Sequence, residues 1–135
     1  MKVSIIIPVK EINDYIRESI PKILAMDYDN FEILIFPDVE SLEVFPKTKI
    51  IPTGQVGPSQ KRNLAMQYAQ GEILAFLDDD AYPEKDWLTK AVGHFENPEV
   101  AAVAGPAVTP QSDSFWQKVS GAVFLSKISG GNPAR

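Results

Sequence analysis

The chain has no cysteine and a single histidine. Disulfides and thiolate metal sites are thereby excluded, and any bound metal must rely on oxygen donors. Positive charge is also scarce. Lys plus Arg number 13 against 18 Asp plus Glu, a net charge of −5. A general nucleic-acid binder carries a basic face, so nucleic acid is not an expected partner. Long apolar runs are missing too. The N-terminal one, Val3 to Val9, is short and broken by Pro8. It resembles neither a secretory leader nor the roughly 20 apolar residues of a membrane span. There is no internal repeat and no low-complexity tract. The compartment stays open, with cytoplasm as the default expectation.

What is present is an ordinary globular composition, 135 residues with 44% hydrophobic content. That is one domain by size, with enough chain to bury a core. Apolar strands alternate with helical patterns. Val3 to Ile7 is β-branched and reads as a buried strand. Ile12, Ile16, Ile20, Ile23 and Leu24 recur at helical spacing, with Asn13 or Asp14 as N-cap and Pro21 expected to kink or interrupt the helix. Phe31 to Phe36 is a second strand and Lys49 to Pro52 a short third. The stretch from Asp38 to Lys49 between them fits no element. Gly57-Pro58-Ser59 opens a helix with Leu64, Ala65, Tyr68 and Ala69 on its apolar face, and Gly71 is expected to cap its end. A fully buried strand from Ile73 to Leu77 follows. Pro83 is expected to start a helix with Trp87, Leu88, Ala91, Val92 and Phe95 on one face, ended by Asn97-Pro98. Val100 to Ala104 is expected to form a further strand, and Phe115 to Ile128 a last helix. Strand–helix alternation of this kind argues an α/β fold, a mainly parallel sheet with helices on both faces.

The most informative feature is the triplet Asp78-Asp79-Asp80, directly after the strand Ile73 to Leu77. In open α/β sheets ligands bind at the carboxyl edge, where this triplet falls. Three adjacent carboxylates repel and call for a counter-charge. A hard divalent cation, magnesium or manganese, matches their oxygen donors. The plain alternative is a polar turn whose acidic residues cap a helix. The other strands deliver Pro8-Val9-Lys10-Glu11 and Asp38 to the same edge, so Glu11, Asp38 and the triplet converge on one crevice. A carboxylate such as Asp38 suits the imide or amide edge of a base, or a ribose hydroxyl. Lys61-Arg62 sits in the first turns of the helix opened by Gly57-Pro58, a ready anion site, with a solvated face as the plain alternative.

These segments in this order, Ser4-Ile5-Ile6-Ile7-Pro8-Val9, Phe31 to Ile35 ending near Asp38, Gly57 to Asn63 and Gly71 to Pro83, resemble the family 2 glycosyltransferases of the GT-A, Rossmann-like fold. The resemblance covers Lys2 to about Pro106, the core of one donor-binding domain. Residues 107–135 then read as the start of an incomplete acceptor-side region. The loop-like end, Ser129 to Arg135, suggests a truncated chain. The resemblance implies transfer of a sugar from a nucleotide-diphosphate sugar to a glycan or lipid-linked acceptor, with inversion and a divalent cation. It places Pro8, Val9 and Glu11 along the nucleotide and Asp38 on the base. Lys61 or Arg62 falls near the nucleotide or its phosphates. Asp78 or Asp79 faces the ribose, and Asp80, with Asp78 at the other end of the Asp-x-Asp motif, binds the metal. It further implies cell-envelope polysaccharide synthesis, with possible peripheral association at the inner membrane face.

One part of the family pattern is missing. Downstream of Asp80 the chain offers Glu84, Asp86, Glu96, Glu99 and Asp113, none in the acidic motif that supplies the family's catalytic base. The catalytic base is unassigned. The expectation is a donor-binding part that binds nucleotide and metal but transfers sugar poorly. Three alternatives stand beside it. A sugar nucleotidyltransferase would need a glycine-rich loop after the first strand, where this chain has Pro8-Val9-Lys10-Glu11. A receiver-type signalling domain would need an acidic pair there. A non-catalytic nucleotide-binding or scaffold domain of the same fold fits the missing base.

Overall fold

The computed structural model describes residues 1–106, 108–110 and 113–125. The elements run β1 (Val3–Pro8), α1 (Asp14–Leu24), β2 (Phe31–Phe36), β3 (Thr48–Ile50), α2 (Pro58–Ala65), β4 (Ile73–Phe76), α3 (Trp87–His94) and α4 (Phe115–Leu125). The chain divides into two compact units, Met1–Gly93 and His94–Arg135.

The first unit is built on a four-stranded sheet of order β3-β2-β1-β4. All three pairings are parallel, with Val3 opposite Phe31 on one side and Ile73 on the other. β1 is central and buried at every position, as its β-branched run requires. Alternate residues serve opposite faces. Val3, Ile5, Ile7, Ile33 and Ile35 meet Ile16, Ile20 and Ile23 of α1 and Leu88 of α3. Ile6, Leu34 and Phe36 meet Ala65 of α2, with Leu64, Tyr68 and Ala69 beside it. Each fully buried isoleucine contributes about 2 kcal/mol of apolar transfer. The expected helix-covered parallel sheet is therefore present.

Strand order explains where the ligand edge lies. From β1 the chain moves outward through β2 and β3, then α2 returns it to β4 on the other flank of β1. The order reverses between β1 and β4, and the carboxyl ends at such a point are where ligands bind in open α/β sheets. The amino ends are locked by a polar cluster. Ser4, fully buried in β1, donates from Oγ to Glu32 of β2 at 2.7 Å and accepts from the Gly71 N–H at 2.9 Å. Glu32 Oε1 also accepts from the Gln70 N–H at 2.8 Å.

Several local expectations are corrected. Helix α1 runs unbroken through Pro21, which lies on its exposed face. Asn13 alone is the N-cap, its Oδ1 accepting from the Ile16 N–H at 3.0 Å. Helix α2 ends at Ala65 with Met66 as C-cap, so Gly71 is no cap. Its role is a close approach: a Cβ there would lie 2.5 Å from the Ser4 nitrogen. β4 ends at Phe76 and is only partly buried, because it is the outer strand among the described residues. Pro83 does not open a helix. The Asp27 N–H takes the Lys85 carbonyl at 2.9 Å, holding that segment against the end of α1, and α3 begins at Trp87. The segment 38–47 is a loop pinned to α1 by Arg17, which donates to Glu43 at 3.1 and 2.8 Å. Its Leu42 and Val44 are exposed.

In the second unit, Val100 to Ala104 forms no strand. Residues 101–106 are exposed and, among the described residues, no neighbouring strand pairs with them. Phe115 and Trp116 are exposed and meet each other edge to face at 5.4 Å. The last helix is described to Leu125. The remainder to Ile128, and the loop expected over Ser129 to Arg135, lie outside the described residues.

Candidate functional site

The crevice is assembled by three contacts, each closing a different strand exit. At the exit of β1, Pro8 is buried in the strand and Val9 turns its side chain into the core. The Val9 carbonyl is left to accept from Lys61 Nζ at 2.5 Å. At the exit of β2, Asp38 accepts a hydrogen bond from the same ammonium. The backbone of Asp38 is fixed on both sides. Its N–H donates to the Lys10 carbonyl at 2.8 Å and its carbonyl accepts from Gly54 at 3.1 Å. At the exit of β4, Arg62 donates to Asp78 Oδ1 at 2.8 Å. Two consecutive residues of α2 thus reach the strands on either side of β1.

Lys61 can do this because of how α2 starts. Gly57 precedes Pro58 at the first helical position, and the Gln60 side chain accepts from the Gly57 N–H at 3.1 Å. The helix then directs Lys61 inward, where it is only 3% exposed. A buried ammonium is tolerated only when paired, and Asp38 and the Val9 carbonyl supply the partners. Arg62, one residue on, is half-exposed and faces the crevice rim.

The acidic triplet is differentiated by its neighbours. Asp79 is held by Asn13, whose Nδ2 donates to Oδ2 at 2.7 Å. The N-cap of α1 therefore also orients the middle carboxylate. The other end of α1 grips the segment after the triplet, with Lys22 over the ring of Tyr82 at 3.3 Å from its centroid. Asp78 is exposed and paired with Arg62, and Asp80 is exposed at the turn. Glu11, also exposed, stands before α1.

Asp78 and Asp80 present hard oxygen donors, the set that magnesium or manganese takes. Among the described residues no three acidic or histidine side chains converge into a complete cage. Asn13 and the depth of Lys61 were not legible as site features in the sequence. The first reads as a simple cap. The second reads as one member of a basic pair.

With this geometry in view, similarity to known proteins becomes specific. The sequence matches glycosyl transferase family 2 over residues 4–132. The chain belongs to that family. It is 32% identical over 100 residues to an uncharacterized glycosyltransferase of Haemophilus influenzae, covering 65% of this chain and 40% of that protein. It is 28% identical over 109 residues to the poly(ribitol-phosphate) β-N-acetylglucosaminyltransferase TarS of Staphylococcus aureus, covering 71% of this chain and 19% of TarS. Among solved structures, the mannosyltransferase of Pyrobaculum calidifontis in complex with GDP-mannose and Mn²⁺ superposes with a TM-score of 0.70 at 25% identity. That match covers 82% of this chain and 36% of that one. The chain thus spans at most about two fifths of the length of these relatives. No helix among the described residues is long and apolar enough to cross a membrane.

Proposed function

We propose that the crevice between the ends of β1 and β4 binds a nucleotide-diphosphate sugar, and that the chain supplies the donor side of an inverting glycosyl transfer. The observation that carries this is the placement of Asp38 at the exit of β2 and of Asp78, Asp79 and Asp80 at the exit of β4, along one carboxyl edge on either side of β1, each except Asp80 held by a named partner. Asp38, braced by Lys61, meets the base. Pro8, Val9 and Glu11 flank the nucleotide, and Asp78 or Asp79 takes the ribose. Arg62 lies where a phosphate would exchange for Asp78 as its partner. Asp80, with Asp78, would hold Mg²⁺ or Mn²⁺. When bound, such an ion offsets the charge that builds on the departing diphosphate. The manganese in the Pyrobaculum mannosyltransferase supports that assignment.

The acceptor we propose is a glycan or lipid-linked precursor of the cell envelope, handled in the cytoplasm or at the inner membrane face. TarS, which glycosylates poly(ribitol phosphate), supports this class. Glycosyl transfer also needs a base to take the acceptor proton. Of the downstream acids, Asp86 is paired with Lys90 along α3 and Glu84 precedes that helix. With no residue assigned as that base, we expect this chain to bind donor without efficient turnover.

Calorimetric titration with UDP-, GDP- and dTDP-sugars, with and without manganese, tests the reading. Metal-dependent binding of at least one donor is expected, and Asp80→Asn should weaken it roughly tenfold or more, the scale of losing a charged ligand. Binding of no donor under either condition would favour a scaffold on the same fold. Full transferase turnover by the 135 residues would refute the restriction to donor binding.

A further inference from the structure

We propose that helix α1 is the splint of the acidic turn, and that Asn13 and Lys22 are positioning residues for the divalent cation that Asp80 would hold. The inference deepens the donor-site reading and rests on it. It starts from a contrast within the triplet. Asp78 and Asp79 have partners of their own, Arg62 and Asn13. Asp80 is exposed and, among the described residues, its carboxylate takes no hydrogen bond and no ion pair. A carboxylate on a loose surface turn is a poor ligand. Ordering its backbone only on binding weakens affinity by roughly fivefold or more per position fixed.

The neighbours of Asp80 do the fixing. The Ala81 N–H donates to the Asp78 carbonyl at 3.1 Å, so Asp79 and Asp80 are the central residues of a closed turn. Asp79 is tied to the amino end of α1, where Asn13 Nδ2 donates to it at 2.7 Å. The Asn13 amide cannot rotate away, since its Oδ1 accepts from the Ile16 N–H at 3.0 Å. Tyr82 is tied to the last turn of the same helix, its ring centroid 3.3 Å from Lys22 Nζ. Behind it the Asp27 N–H donates to the Lys85 carbonyl at 2.9 Å, and Thr89 Oγ1 donates to the Asp27 carbonyl at 3.0 Å. The anchors Asn13 and Lys22 are about 13.5 Å apart along the helix axis. The chain from Asp79 to Tyr82 reaches about 10–11 Å at most. The two anchoring side chains close the difference, which leaves the turn little slack. Asp80 is thus held by both its flanks while its own oxygens stay free.

Free Mn²⁺, followed by electron paramagnetic resonance as the chain is titrated with UDP or GDP present, reads the consequence. Asn13→Ser keeps a capping oxygen and loses the amide donor to Asp79. Lys22→Met loses the cation over Tyr82, and Lys22→Arg keeps one. Asn13→Ser and Lys22→Met should each bind manganese roughly fivefold more weakly, the scale of one backbone position left to be ordered. Lys22→Arg should bind as wild type does. Removing the Lys22 charge would by itself favour a cation, so a loss has the sign of positioning and not of bulk electrostatics. Combined with Asp80→Asn, neither substitution should weaken binding further. A folded Asn13→Ser or Lys22→Met, judged by thermal melt, with wild-type manganese affinity would overturn the proposal. Hydrogen exchange of the Ala81 amide needs no variant. Protection is expected before any ligand is added, and protection that arises only with manganese and nucleotide would overturn the proposal too. Either result, with manganese bound by the wild type, leaves the donor-site reading standing without the splint. Binding of no manganese by the wild type with either nucleotide would remove both.

Discussion

Replacing Gly71 with alanine should be among the most damaging single-methyl changes in the first unit. The added carbon would sit 2.5 Å from the Ser4 nitrogen, 2.8 Å from its Oγ and 2.8 Å from the Val3 carbonyl carbon. Two of these atoms belong to the backbone of β1, the central strand, which is paired on both sides and cannot retreat. Overpacking of this kind costs about 1–3 kcal/mol. Pushing the strands apart also endangers the 2.9 Å bond from the Gly71 N–H to Ser4 Oγ, worth about 1 kcal/mol more. A loss of roughly 2–4 kcal/mol is a large share of the 5–15 kcal/mol that holds a domain together. In a chain of this size it should lower the melting temperature by about 10 °C. Gly93 supplies the internal control. It lies within α3 with nothing within 4 Å of its Cβ position. There the same substitution relieves a helix of glycine and should stabilise by about 0.5–1 kcal/mol. Urea unfolding of both variants would show opposite signs. A Gly71→Ala change below about 0.5 kcal/mol, within the range of an ordinary surface substitution, would refute the close-approach reasoning.

Other outcomes follow from the site and its supports. Asn13→Ala removes the cap of α1 and the tether on Asp79 together, and should cost about 1–2 kcal/mol in urea unfolding. Asn13→Asp keeps the cap but sets a second carboxylate against Asp79, so it should recover less stability than Asn13→Ser at neutral pH. Arg17 holds the Glu43 carboxyl below its ordinary value of 4.5, chiefly by hydrogen bonding. A depressed folded value means stabilisation present above the ordinary value and lost as pH falls through the folded one. The melting-temperature gap between wild type and Glu43→Gln should therefore be present at about pH 7, close as the solution is acidified below 4.5, and shrink in molar salt.

The parts of the fold legible in the sequence are those carried by local pattern. β1 and β2 stand where their apolar β-branched runs lie, and α1 where its isoleucines recur every three or four residues. The parallel sheet follows from their alternation. Elements that depend on partners were less legible. Val100 to Ala104 has strand composition but no neighbour to pair with among the described residues, and composition cannot supply one. Gly71 looks like a helix cap because glycine ends helices. Its actual constraint comes from Ser4, 67 residues away. The site divides in the same way. Asp38 and the triplet are visible because strand exits are predictable. The brace from Lys61 is not, since it joins residues 23 and 52 positions apart. In a linear reading Lys61 and Arg62 look equivalent. The rotation of roughly 100° between consecutive helical residues sends the first into the floor and the second to the rim.

Ser4 lies at the opposite end of β1 from any proposed ligand, yet alignment of the carboxyl edge depends on it. Parallel strands of uniform apolar composition have little to distinguish one register from the next, and a slip of a single residue moves a strand by about 3.3 Å and turns its side chains to the other face. Such a slip of β4 would carry Asp78 away from Arg62 and Asp79 away from Asn13. The hydroxyl of Ser4, joined to Glu32 on one neighbour and to Gly71 at the start of the other, admits one register only. The far end of the sheet thus works as the indexing pin of a ruler whose graduations are read at the opposite edge.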